Sequence, residues 1–332
     1  MKAKQILITV MFMAMVFCAV ESHARTYRFA WIPWIGFSPL HVADTKGFWK
    51  EQGLDVKIVK CTDGQDMVSL FKDKRVDVMV DMIGSGVGLY LEGVHLTILM
   101  ETDWSHGGDK ILMRKDVNPS DLKGKNVGIY QNSFAVTYFL NRWLSTAGLK
   151  LSDVKPVEME VKPMTDSFIN GMFDLMVCYD PEAIRAEKEG KGKVVATSAS
   201  YEGCIPEGIM VMKDILSGIP KEDIAKILKG WIKGVKWLHD QANHREYMEI
   251  INTRIFADEG PYSEKEIQEI CSNVRIHDPQ NIMERNRDGG GLYSYLTDLK
   301  MFLTENSMPA KDFAPKDIFD NYVILEVLNA EP

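Results

Sequence analysis

The chain is 332 residues long, 45% hydrophobic and 26% charged, an ordinary globular composition for two domain-sized units or one with a large insertion. Its net charge of −8 is the opposite of the basic stripe that nucleic acid requires, so no nucleic-acid partner is expected.

At the N-terminus, Lys2 and Lys4 precede an apolar run from Ile6 to Val20, and Ser22-His23-Ala24 places small residues before a cleavage point. This pattern predicts a secretory signal peptide over residues 1–24, cut after Ala24, and hence a periplasmic, soluble product. The apolar run is short for a spanning helix, and Phe17 is too bulky to precede a lipidated Cys18. Cys61, Cys178, Cys204 and Cys271 then remain. An oxidising compartment permits bridges, with Cys178 and Cys204 the pair that could meet, but no spacing resembles a disulfide framework or a zinc site, and buried free thiols are the simpler expectation.

In chain order, Tyr27–Trp34 reads as a strand that stops at Pro33-Trp34-Ile35-Gly36. Ser38-Pro39 then fits an N-cap with proline at the first helical position. Leu54–Val59 alternates as a strand does. Asp66–Phe71 reads as a helix, Val76–Val80 as an apolar strand, Gly84–Leu91 as a helix headed by Ser85, and Leu96–Met100 as a strand. Asp103–Phe134 is the organising stretch: the strand Ile111-Leu112-Met113, turn chemistry at Asn118–Leu122, and the strand Lys125–Tyr130. Asn132 or Ser133 then caps a helix carrying Phe134, Val136, Phe139, Leu140 and Trp143.

The rhythm repeats beyond this connector. Strands are expected at Val154–Val161, Phe173–Cys178 and Val194–Ala196, and helices at Thr165–Gly171 and Glu182–Glu189. Gly208–Met212 has the look of a return crossing, and helices follow at Pro220–Ala242, His244–Phe256, Ser263–Ser272 and Leu292–Glu305. The expected architecture is α/β: two lobes, 25–112 with 207–332 and 113–206, strapped by Asp109–Met113 and Gly208–Met212, with the C-terminal helices on the first lobe. Strand carboxyl ends would then face each other across a hinged cleft.

The ordered set Pro33-Trp34-Ile35-Gly36, Pro39-Leu40, Gly47-Phe48, Gly53-Leu54-Asp55-Val56, Val76-Asp77-Val78, Gly107-Gly108-Asp109-Lys110-Ile111, Asp121-Leu122-Lys123-Gly124-Lys125, Phe173-Asp174-Leu175 and Tyr179-Asp180-Pro181 resembles the solute-binding proteins of ABC importers. The likeness is to their nitrate/sulfonate/taurine and thiamine-precursor branch and covers about residues 27–305. It implies a type-2 periplasmic-binding-protein fold, a small-molecule ligand and an inner-membrane ABC permease as partner, with a monomer expected. Where the family often has Trp, this chain has Tyr179, and Asp103-Trp104-Ser105-His106 is unusually rich in functional side chains. Nitrate or alkanesulfonate specificity therefore does not transfer directly.

Eight residues are candidates for the ligand site. Trp34 could wall the cleft, with core packing as the alternative. Ser85 and Ser133, each at a helix start, could present N–H groups and a hydroxyl to an anion, or simply cap their helices. Asp81, Asp109 and Asp180 near strand ends could hold an amine; Asp109 could instead cap a turn, and Asp180 could start a helix before Pro181. Trp104 lies on a predicted loop, where functional groups concentrate, and Tyr179 could share a clamp with Trp34. Neither a His-x-x-x-His pair, a Gly-x-Ser-x-Gly elbow nor a Walker loop occurs, so no catalytic residue, metal or cofactor is expected. The expected ligand is small, polar and organic: a sulfonate or aminosulfonate, or an amine-bearing nitrogen heterocycle. Two other readings are a pyrimidine-precursor synthase on the same fold and a ligand-sensing subunit of a membrane signalling protein.

Overall fold

The computed structural model describes residues 25–130, 134–308 and 313–330. The signal-peptide segment and Ser133 lie outside the described residues. The strands are β1 (Thr26–Trp31), β2 (Asp55–Lys60), β3 (Val78–Met82), β4 (Leu96–Ser105), β5 (Asp109–Arg114), β6 (Asn126–Tyr130), β7 (Lys155–Met159), β8 (Leu175–Tyr179), β9 (Gly192–Thr197), β10 (Pro206–Met212) and β11 (Val274–Ile276). The helices used below are α1 (Ser38–Thr45), α2 (Gly64–Lys72), α3 (Ile83–Leu91), α4 (Phe134–Thr146), α5 (Val161–Ile169), α6 (Glu182–Glu189), α7 (Lys221–His239), α8 (Glu264–Ser272), α9 (Pro279–Asn286), α10 (Gly291–Glu305) and α11 (Tyr322–Ala330).

Two mixed sheets result. The first runs β11-β4-β10-β3-β1-β2 and the second β7-β6-β8-β5-β9. In the first, β1 is parallel to β2 and β3, while β10 is antiparallel to both β3 and β4. In the second, β6 is parallel to β7 and β8, and β5 is antiparallel to β8 and β9. The centre of the first sheet is β10, buried along its whole length, as the apolar run Ile209–Met212 requires of a strand covered on both faces. At the edge, β2 alternates between exposed and half-buried positions.

The chain passes between the sheets at 106–108 and 198–205, not along Asp109–Met113 and Gly208–Met212 as the sequence suggests. Those two segments are interior strands, of the second and first sheet respectively: each is flanked by a strand on either edge and its apolar side chains are buried. At the first passage, Gly107 has φ +112°, a conformation open to glycine at little cost. Ser38 also departs from expectation: Phe37 precedes the helix as its cap residue, and the Ser38 hydroxyl is bonded to the Tyr247 hydroxyl at 2.8 Å.

Apolar residues at helical spacing on α7 (Ile224, Ile227, Leu228, Trp231, Ile232 and Val235) bury against the first sheet. Trp49 joins them and donates its Nε1–H to the Ile227 carbonyl at 3.0 Å. Helix α10 reaches further, packing on α4 beside the second sheet through Tyr295 and Phe302 against Tyr138. β11, α9 and α11 are additional to the elements read from the sequence, each being too short for its periodicity to stand out. Among the described residues, Cys61, Cys178, Cys204 and Cys271 are free thiols.

Candidate functional site

Two parallel pairs, one in each sheet, deliver their carboxyl ends to the space between the sheets. β1 leads into Ile32-Pro33-Trp34, β3 into α3, β6 toward α4, and β8 into Asp180-Pro181 and α6. That space is a cleft of two adjoining compartments, of about 370 Å³ and 470 Å³, which share Trp34, Glu160, Val161 and Tyr179 as walls. The first also exposes Asp81, Ser85, Asp109, Tyr130 and Glu207; the second takes in Asp180, Glu259, Tyr262 and Glu269.

The aromatic walls are fixed in place. Trp34 donates its Nε1–H to Asp103 Oδ1 at 3.3 Å. Its ring edge lies against Gly108, where an added Cβ would come within 2.6 Å of the indole. Tyr130 and Tyr179 meet edge to face with centroids 5.3 Å apart, and the Tyr130 hydroxyl donates to Asp109.

The carboxylates behave unlike surface acids because water is withheld from them. Burial pushes Asp81 up to about 7, opposed by bonds from the Met82 N–H and the Ser85 hydroxyl. Burial, with the nearby Asp180 charge, likewise pushes Asp109 up to about 7 against a Ser105 hydrogen bond. Asp103 rises to about 6 by burial, with bonds from Thr102 and Trp34 holding it back. Glu207 is driven well above the usual carboxylate range by burial and by Asp103, Asp81 and Asp109. Its Oε2 is buried and has no hydrogen-bond partner. Opposing charge is scarce. Among the described residues the cleft lining contains no arginine or histidine, and its lysines are Lys72, paired with Glu92 at 2.8 Å, and Lys162.

These shifts set a pH dependence. A carboxyl whose folded pKa is raised gives stability that is full below its unfolded value near 4 and lost as the pH climbs through the folded value. The ligand-free protein is therefore expected to lose stability between about pH 4 and pH 7–8. Asp81→Asn should flatten that fall by about 2–4 kcal/mol, since a shift of about three pKa units corresponds to about 4 kcal/mol at most. Urea unfolding at pH 5 and pH 8 measures it; identical pH slopes for wild type and variant would contradict the assignment.

Of the eight sequence candidates, Trp34, Asp81, Ser85, Asp109, Tyr179 and Asp180 line the cleft. Ser85 does so in a different role from the one its position suggests. It is the third residue of α3, Met82 precedes the helix as cap, and its hydroxyl serves Asp81. Asp180 binds Lys110 through Oδ2 and leaves Oδ1 unpartnered. Trp104 is not in the lining. It sits in β4 rather than a loop, paired with Pro206 and Arg275, and its ring packs 4.9 Å from the Arg285 guanidinium and 4.8 Å from His277. The sequence reading missed Tyr130, Glu160 and Glu207; for Glu207 the available signal was an acid heading an otherwise apolar central strand.

Across the cleft the start of α3 meets the start of α4. A Cβ on Gly84 would lie 2.5 Å from the Ala135 backbone nitrogen, so any larger side chain must push the two apart. Gly84→Val is expected to enlarge the radius of gyration in small-angle scattering and to weaken ligand binding about tenfold if the closed form falls to about a tenth of the population. An unchanged radius and affinity would show that this contact does not limit closure.

Comparison with known proteins places this geometry in a family. The NMT1/THI5-like family model matches residues 34–244, and the chain belongs to that family. It is 24% identical over 222 residues to the putative binding protein YtlA of Bacillus subtilis, a match covering 63% of this chain and 64% of that protein. The chain thus spans just under two thirds of that relative's length. In structure it resembles the zinc-bound ligand-binding component of an ABC-type import system from Staphylococcus aureus, at TM-score 0.69 and 13% identity over 91% of this chain and 99% of the other. It also resembles the alkanesulfonate-binding protein SsuA of Xanthomonas axonopodis pv. citri bound to MOPS, at TM-score 0.68 and 12% identity over 89% and 98% of the two chains. The fold is that of the periplasmic binding proteins.

Proposed function

We propose that the chain is an exported solute receptor, delivered to the periplasm by a signal peptide over residues 1–24. As a monomer it captures a small polar organic ligand between its two sheets and presents it to an inner-membrane ABC permease. The single observation carrying this reading is the cleft itself: two compartments at the carboxyl ends of parallel strands, walled by Trp34 and Tyr179. Family membership supports it, as does the structural likeness to the ligand-binding import component of Staphylococcus aureus. The mechanism is closure around the ligand, which shifts the population toward the closed form by as much as it prefers that form.

Between the two ligand chemistries the sequence leaves open, the lining supports the amine-bearing nitrogen heterocycle. A sulfonate needs donors and positive charge, whereas Asp81, Asp109 and Glu207 crowd one compartment and Ser85 is already engaged. Trp34, Tyr130 and Tyr179 offer a flat ring apolar walls to pack on, and its amino groups have carboxylates to reach. Native mass spectrometry of gently purified protein, followed by calorimetry against aminopyrimidines, aminosulfonates and alkanesulfonates, tests both levels. A bound small molecule or a saturable heat supports the receptor; preference for alkanesulfonates would reverse the choice of chemistry.

A further inference from the structure

Glu207 is the least satisfied polar group in the cleft. It is 5% exposed, it lines the smaller compartment, and its Oε2 lacks any partner. Leaving a buried carboxylate oxygen unpaired is costly, and nothing in the packing requires a glutamate there, since β10 is otherwise apolar after its first two residues. Its neighbours make its position worse. Directly across the β10–β4 pair stands Asp103, and the next residue, Gly208, faces Asp81 on β3. Asp109 approaches from the second sheet. No cation offsets them: the charges acting on Glu207 are those of Asp103, Asp81 and Asp109, while Lys110 is held by Asp180 and Arg285 by Glu101 at 2.7 Å. Asp103 and Asp109 at least receive hydrogen bonds from Trp34, Thr102 and Tyr130. Glu207 Oε2 receives none.

We propose that Glu207, with Asp81 and Asp109, is the anchor for a nitrogen cation bearing several N–H groups, an ammonium or amidinium end of the transported solute, and that its capture drives protons from these carboxyls into solvent. The proposal rests on the receptor reading and specifies the charge and the anchoring residue of its ligand. A bare metal ion is the poorer match, because among the described residues no three His, Cys, Asp or Glu side chains converge as a metal group does. A nitrogen cation carries its donors outward on separate N–H bonds and so reaches carboxylates that do not converge on a point. In the empty cleft these carboxyls keep protons that surface acids would have lost, which relieves their mutual repulsion. An entering cation replaces those protons, and they leave to buffer.

The test uses the mature chain and a set of near-isosteric probes: benzamidine and benzylamine as cations, benzamide as the neutral form, benzoate as the anion. Calorimetry at pH 7 in phosphate and in Tris separates binding heat from proton release. The expected result is saturable binding of at least one cation, at least tenfold weaker binding of benzamide, no binding of benzoate, and net proton release. Glu207→Gln should weaken the cation at least tenfold and reduce the release, while raising the melting temperature of the empty protein at pH 8, because folding no longer has to hold a proton on a carboxyl that the unfolded chain would ionise. A Glu207→Gln protein that binds the cation as wild type does, or that melts lower when empty, overturns the proposal. So does binding of benzoate or benzamide in preference to both cations, which would leave the receptor reading standing. Absence of binding by every probe, together with no small molecule in native mass spectra, would count against the receptor reading as well.

Discussion

Trp34→Ala is expected to lower affinity for the tightest ligand of the calorimetric panel about a hundredfold, or about 2.7 kcal/mol, with little change in the fold. The residue belongs to both compartments at once, so its removal opens the wall between them. It is half-buried and follows the end of β1 instead of packing inside the sheet, unlike Trp31, which is 2% exposed. Its indole N–H is also a partner of the buried Asp103 carboxylate, which loses a hydrogen bond when the ring goes. Trp34→Phe separates the two effects: it keeps the flat wall and removes only the donor, so its loss should be several-fold rather than a hundredfold. Calorimetry on the three proteins, alongside their far-ultraviolet spectra, reads the result. Wild-type affinity in Trp34→Ala would place the ligand elsewhere.

Glu101→Gln should cost about 3 kcal/mol of stability and lower the melting temperature by about 4–6 °C without a direct effect on the cleft chemistry. Glu101 is completely buried on β4, the strand that leads to the first passage between sheets. Its carboxylate accepts from Arg285 Nε at 2.7 Å and from the other side of the guanidinium at 3.0 Å, and contacts His277 Nε2 at 3.0 Å. Asn286 completes the clamp, accepting from the Glu101 N–H at 2.7 Å and donating to its carbonyl at 3.0 Å. Burial alone would raise this carboxyl, but His277 and Arg285 outweigh it and hold the group below its ordinary value. The sign is then opposite to that of the cleft acids. This contribution is present above the unfolded pKa of about 4.3 and is lost as the pH falls through the lower folded value. Replacing the carboxylate leaves the mostly buried Arg285 without its counter-charge, which is the expensive half of breaking such a pair. Thermal unfolding at pH 7 and pH 4 checks both parts. A variant as stable as wild type at pH 7 would mean the cluster is a neutral exchange of water for protein contacts.

Period and punctuation in the chain carry much of this. Apolar runs such as that of Pro206–Met212 and the helical spacing along Lys221–His239 state element type locally, because burial on a strand or a helix face imposes its own repeat. Strand–helix alternation gave two α/β units, and strand ends gave Trp34, Asp81, Tyr179 and Asp180 as cleft residues, since ligands gather at the carboxyl ends of parallel strands, with Asp109 joining them at the head of the antiparallel β5. Pairing partners are another matter. Whether Ile111–Met113 belongs to one sheet or straps two together depends on which distant strands flank it, and no local pattern records that. Trp104 looks like a loop residue from its polar neighbours, yet β10 and β11 capture it from far along the chain.

By itself the sequence determined the layering, most of the helices and strands that build it, and the residues at the strand ends. Only the tertiary structure decided which charges share a chamber: Glu207 and Asp81, 126 positions apart, come together because β10 returns antiparallel between β3 and β4. The local chain fixes conformation through short-range sterics and periodic burial, whereas the electrostatics of a cleft arise from groups that long-range pairing brings together and that exclusion of water makes strong.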